Sequence, residues 1–166
     1  MPALLDHIDP NGLEEFSVVF TDRSLNHMSK EFQQVMCDLS SNLKEVYNSD
    51  AVVLVPGGGT FAMEAVARQF GIDTSVLIIR NGWFSYRWSQ IFESSANART
   101  TTVVKARMVG NEAVAPFRPA DVNDVIEKIK EEKPNIVFAP HVETSAGVIL
   151  PDDYIKKIST AAHEVG

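Results

Sequence analysis

From residue 51 onward one unit recurs: a short apolar run, a turn, then an amphipathic helix. The runs are 51–55, 75–80, 101–105 and 135–139, and the helices begin near Thr60, Trp83, Asp121 and Pro151. Short runs rich in Val and Ile read as strands buried on both faces. Strands that alternate with helices need crossover connections, so an α/β fold is expected, a mostly parallel sheet with flanking helices. A chain of 166 residues is long enough for one full core and short for two. Gly71 is placed where a C′ glycine would end the first crossover helix, and 107–118 reads as an irregular surface connection.

Upstream the pattern is different. Phe32, Val35, Met36, Leu39, Leu43, Val46 and Tyr47 recur at helical spacing, with Ser29 as the expected N-cap. The stretch 16–21 could be extended, in irregular surroundings. Residues 1–27 are therefore set apart as an N-terminal segment and 28–166 as one domain. The chain closes on Gly166 directly after a helix, where the series calls for another strand. The domain is expected to be incomplete.

Charge and cysteine content narrow the partners. The net charge of −7 disfavours nucleic acid or an anionic membrane as the main partner. The single cysteine, Cys37, excludes an internal disulfide framework, and no Cys/His cluster has zinc spacing, so no metal is expected. Cys37 lies beside the apolar stripe of the first helix and reads as an inert helical residue. The N-terminus lacks a basic region followed by an apolar run, and no apolar stretch approaches the roughly 20 residues that span a bilayer. A reducing, cytoplasmic setting is expected.

Three loops carry chemistry. Pro56-Gly57-Gly58-Gly59-Thr60 follows the first run and opens a helix. Glycines allow a sharp turn and close approach, and the free N–H groups at a helix start favour an anion such as phosphate. The run Asn81-Gly82-Trp83-Phe84-Ser85-Tyr86-Arg87-Trp88 follows the second strand and offers aromatics to a flat heterocycle, or to packing of the helix on the sheet. His141-Val142-Glu143-Thr144-Ser145-Ala146-Gly147 follows the last strand and offers an imidazole, a carboxylate and two hydroxyls. No nucleophile elbow accompanies that loop, so a hydrolase triad is not expected. One rival reading remains open: Gly57-Gly58-Gly59-Thr60-Phe61-Ala62 fits the G-x-G-x-x-A dinucleotide fingerprint, with Arg80 placed for the 2′-phosphate of NADP. That would make an oxidoreductase domain. A non-catalytic phosphate- or partner-binding remnant is a third.

Taken together, these loops resemble the class V, fold type I pyridoxal-phosphate aminotransferases, in their alanine–glyoxylate and serine–pyruvate branch. The resemblance runs from about Met28 to Gly166. It rests on Met28-Ser29-Lys30, Pro56 to Ala65, Asn81-Gly82 with its aromatics and Arg87, and the His141 loop with Pro151 after it. It implies that the chain is the N-terminal portion of the large cofactor-binding domain. The phosphate group then falls to Gly58, Gly59 and Thr60, where the branch commonly has histidine at the last position. Ring stacking falls to Phe84, with Trp83 adjacent, and the ring hydroxyl to Thr144, where serine is usual. The Schiff-base lysine, the aspartate that pairs with the ring nitrogen and the substrate-carboxylate arginine all lie further along in the family, so no catalytic residue is assigned here. The resemblance implies a homodimer acting on a small amino acid and a 2-oxo acid such as glyoxylate or pyruvate, and an inactive chain when alone.

Overall fold

The computed structural model describes residues 27–95 and 98–166. The chain divides into two units, Met1–Val55 and Pro56–Gly166.

In the first unit, α1 (Lys30–Tyr47) begins at Ser29, whose hydroxyl accepts the Phe32 N–H at 3.1 Å. It ends at Asn48 in the left-handed conformation. Phe32, Met36 and Leu43 of its stripe are half-buried, and Cys37 is exposed and free. The run 16–21 lies outside the described residues. Residues 51–55 depart from expectation. They form no strand, and Val53 is 81% exposed. A strand persists only where a neighbour takes its N–H and C=O groups, and no described strand pairs with this run.

The second unit runs α2 (Gly59–Phe70), β1 (Ser75–Arg80), α3 (Trp83–Ser95), β2 (Thr100–Lys105), β3 (Arg107–Met108), β4 (Phe117–Arg118), α4 (Val122–Glu132), β5 (Ile136–Phe138), β6 (Val142–Glu143), a 3-10 turn (Thr144–Ala146), β7 (Val148–Ile149) and α5 (Asp152–Val165). The main sheet has the order β2-β1-β5 and is parallel throughout, with Arg80 opposite Lys105 and Ile78 opposite Phe138. The central strand β1 is buried on both faces. Leu77 and Ile79 pack with Val125 and Ile129 of α4 and Ile158 and Ala161 of α5. Val76 and Ile78 face the other way, onto Ala67 of α2 and Ile91 and Phe92 of α3. Period-2 alternation thus feeds two cores with helices on either side of one sheet.

Two local expectations are corrected. Gly71 does end α2, but with φ −92°, not in the left-handed region. The glycine is needed for space instead: a Cβ there would lie 2.5 Å from the Ala67 carbonyl oxygen and 2.5 Å from the Phe92 ring. The connection 107–118 is not irregular throughout, because β3 and β4 pair antiparallel across it.

Candidate functional site

Since β1, β2 and β5 are parallel, their C-terminal ends lie along one edge of the sheet. In open α/β sheets ligands bind at that edge. The second and third loops leave from it, after β1 and β5.

The glycine turn is built from the backbone. Gly57 has φ +130°, and a Cβ on it would meet the Phe61 ring at 2.6 Å. Gly58 caps α2 in extended conformation without a side chain, and its carbonyl accepts the Phe61 N–H at 2.9 Å. Among the described residues, no backbone hydrogen bond consumes the N–H groups of Gly58, Gly59 or Thr60. Nothing lies within 4 Å of where a Cβ would stand on Gly58 or Gly59, and Thr60 is exposed. Unbonded first-turn amides suit an anion.

The aromatic loop divides by role. Trp88 stacks on Phe138 at 4.2 Å and packs α3 onto the sheet. Tyr86 lies under the Arg80 guanidinium, 4.8 Å from ring centroid to Cζ. Trp83 and Phe84 are left 57% and 55% exposed at the first turn of α3, and these are the two assigned to ring stacking.

The third loop does something the sequence did not reveal. The Glu143 side chain is buried and sits at the N-terminus of α3. Its carboxylate accepts the Phe84 N–H at 3.1 Å, the Ser85 N–H at 2.8 Å and the Ser85 hydroxyl at 2.6 Å. The Ser145 hydroxyl donates to the same carboxylate and accepts the Trp83 N–H at 2.8 Å. Ser85 Oγ in turn accepts the Asn81 N–H at 2.8 Å and the Gly82 N–H at 3.1 Å. Burial pushes the Glu143 carboxyl up, but the hydrogen bonds from Ser145, Ser85 and the Phe84 amide outweigh it and hold it below its ordinary value. A carboxylate at a helix N-terminus is further favoured by the helix dipole. Glu143 and Ser145 are therefore occupied in capping. Thr144 is exposed and is the hydroxyl of this loop that makes no side-chain hydrogen bond among the described residues. The clue in the sequence was Gly82: α3 starts without a capping side chain of its own, so its cap had to come from elsewhere.

A cleft of about 720 Å³ opens at the same edge. Arg80, Asn81, Gly82 and Trp83 line one side of it, Lys105 and the β3–β4 hairpin another, and Ser145 borders it. Of the six residues assigned to the cofactor, Trp83 reaches this cleft. Gly58, Gly59, Thr60, Phe84 and Thr144 do not line it. The structure joins the second and third loops directly, through Trp83 and Ser145, and leaves the glycine turn outside the cleft.

The dinucleotide reading loses its context. Its fingerprint must follow a strand, and residues 51–55 form none. Arg80 is held against Tyr86, with Nη1 3.4 Å from Ser89 Oγ. Among the described residues, no group of three or more His, Cys, Asp or Glu side chains could hold a metal, and no helix is long and apolar enough to cross a membrane.

Fold and loops together give an α/β chain whose fold is similar to that of aminotransferases. Its relatives are specific. No family model matches the chain. It is 28% identical over 134 residues to the alanine–glyoxylate aminotransferase of Rattus norvegicus, covering 79% of this chain and 30% of that protein. It is 29% identical over 127 residues to the soluble hydrogenase, small subunit, of Synechococcus sp. (strain PCC 6716), covering 75% and 31%. Among solved structures it is similar to the ureidoglycine–glyoxylate aminotransferase of Bacillus subtilis, with a TM-score of 0.62 and 26% identity, covering 80% of this chain and 33% of that one. The chain spans about a third of the length of the relatives it matches.

Proposed function

We propose that this chain provides the phosphate-anchoring and ring-orienting part of a pyridoxal-phosphate aminotransferase. The reaction would move an amino group between a small amino acid and a 2-oxo acid such as glyoxylate or pyruvate. The observation that carries the reading is the α2 N-terminus, where the amides of Gly58, Gly59 and Thr60 make no backbone hydrogen bond among the described residues. The names of two relatives, both glyoxylate aminotransferases, supply the substrate class.

The residues present fit the cofactor. Gly58, Gly59 and Thr60 would hold its phosphate, Phe84 or Trp83 its ring face, and Thr144 its ring hydroxyl. When bound, the cofactor supplies an electron sink for bonds at the amino acid's α-carbon. The chain's own part is to bind, to orient and to fix the tilt of the ring. Residues 28–166 are proposed as part of the large domain of a cytoplasmic homodimer.

Titrating the protein with pyridoxal phosphate, pyridoxal and NADP tests this. Binding should require the phosphate, and Thr60→Val should weaken it by about 1–2 kcal/mol, the scale of a hydrogen bond to a charged group. Equal binding of pyridoxal, or tighter binding of NADP, would overturn the reading.

A further inference from the structure

The cleft at the β1–β2 edge has a sign opposite to that of the chain. Net charge is −7, yet the cleft lining includes two cations, Arg80 and Lys105, and no carboxylate. Glu143, packed beside Gly82, has its oxygens taken by the α3 N-terminus and two hydroxyls. Lys105 is exposed and makes no ion pair among the described residues, and Arg80 stacks on Tyr86 without a carboxylate partner. Trp83 and Tyr86, 5.8 Å apart, make an aromatic wall.

Asn81 is the unexplained member. It lines the same cleft, is 3% exposed, and among the described residues neither its amide oxygen nor its amide nitrogen has a hydrogen-bond partner. Leaving such a group unpaired costs about 1–3 kcal/mol, and in folded proteins this is the exception.

We propose that this cleft is a second binding subsite, for a small planar carboxylate that also carries a carboxamide-like edge. Lys105 and Arg80 take the charge, Trp83 takes the flat body, and the Asn81 carboxamide, enclosed in the ligand-free protein, rotates to pair with the donor–acceptor edge. The volume is that of a small-molecule site. This subsite is distinct from the phosphate anchor, whose glycines do not line it. It assigns Trp83 to the cleft ligand and leaves Phe84 to the cofactor. The inference does not depend on the cofactor reading.

The test uses the 166-residue chain and three probes: 4-carbamoylbenzoate, benzoate and benzamide. Trp83 reports binding through its fluorescence, and calorimetry gives the affinity. The first probe should bind saturably, benzoate about fivefold to tenfold more weakly, and benzamide not measurably. Lys105→Ala should weaken both carboxylates about tenfold, or ~1.4 kcal/mol. Asn81→Leu should erase the preference for 4-carbamoylbenzoate over benzoate. Should that variant fail to fold, the exposed Lys105→Ala and the benzamide comparison still decide. No saturable binding at millimolar probe, unchanged affinity in Lys105→Ala, or displacement of the probe by pyridoxal phosphate would each overturn the proposal. The last would make the cleft part of the cofactor site.

Discussion

The Glu143 carboxylate holds Ser85 twice, accepting its hydroxyl at 2.6 Å and its backbone N–H at 2.8 Å, across 58 positions of sequence. This one pairing ties the loop after β5 to the first turn of α3. Trp83 and Phe84 stand on that turn, so their placement depends on a residue from the loop after the neighbouring strand β5.

Replacing Glu143 by Gln should destabilise the protein by about 2–3 kcal/mol at neutral pH, because charge-assisted hydrogen bonds to the helix start are lost in a buried place. The folded-state carboxyl lies below its ordinary 4.5. Its contribution is therefore complete above that value and lost as pH falls through the folded one. Urea unfolding of both proteins at pH 7 and near pH 3 should show the difference shrinking in acid. A difference that grows in acid would contradict the assignment.

Gly82→Ala should also destabilise. The added Cβ would stand 2.6 Å from Ser145 Oγ and 2.7 Å from Glu143 Cγ, neither of which can swing away without breaking the cap. Overpacking of this kind costs about 1–3 kcal/mol. Thermal unfolding of the variant measures it.

Phe84→Ala and Trp83→Ala should separate. Loss of Phe84 should weaken pyridoxal phosphate by about 1 kcal/mol, the scale of an aromatic stacking contact. Loss of Trp83 should leave cofactor affinity nearly unchanged and weaken 4-carbamoylbenzoate. The reverse pattern in the two titrations would exchange the roles of the two rings.

The 166-residue chain, given pyridoxal phosphate, alanine and glyoxylate, should form pyruvate no faster than free cofactor does. Lys30, Lys44, Lys128, Lys130, Lys133, Lys156 and Lys157 lie on or at the ends of α1, α4 and α5, and none belongs to the three loops in sequence. Lys105 is at the cleft that the glycine turn does not line. A coupled lactate dehydrogenase assay follows pyruvate, and turnover lost in Lys105→Ala would show that this lysine reaches the cofactor.

Much of the fold was legible because each signal was local. The runs at 75–80, 101–105 and 135–139 gave three parallel strands, and Ser29 and Asp121 marked helix starts by their side chains. The run 51–55 looks the same in sequence and is not a strand, because pairing depends on a neighbour and no composition encodes one. The loops of the candidate site were legible as loops. Their internal division of labour was not: the side chains of Glu143 and Ser145 looked available until the structure showed them spent on α3. Asn81 was read only as the start of the aromatic run, and only the structure reveals that its buried amide lacks a partner among the described residues.

Residues 51–55 bring a further consequence. Five apolar residues without a charge, β-branched in three places, stand outside any sheet with Val53 largely in solvent. Such a segment is a template for intermolecular cross-β stacking. Asp50 on one side and Pro56 on the other bracket it, a charge and a missing N–H that both act as gatekeepers against fibril growth. Colloidal behaviour in concentrated solution should therefore turn on these flanks more than on the cleft or the core. Asp50→Ala should hasten thioflavin-positive aggregation, and Val53→Lys should slow it.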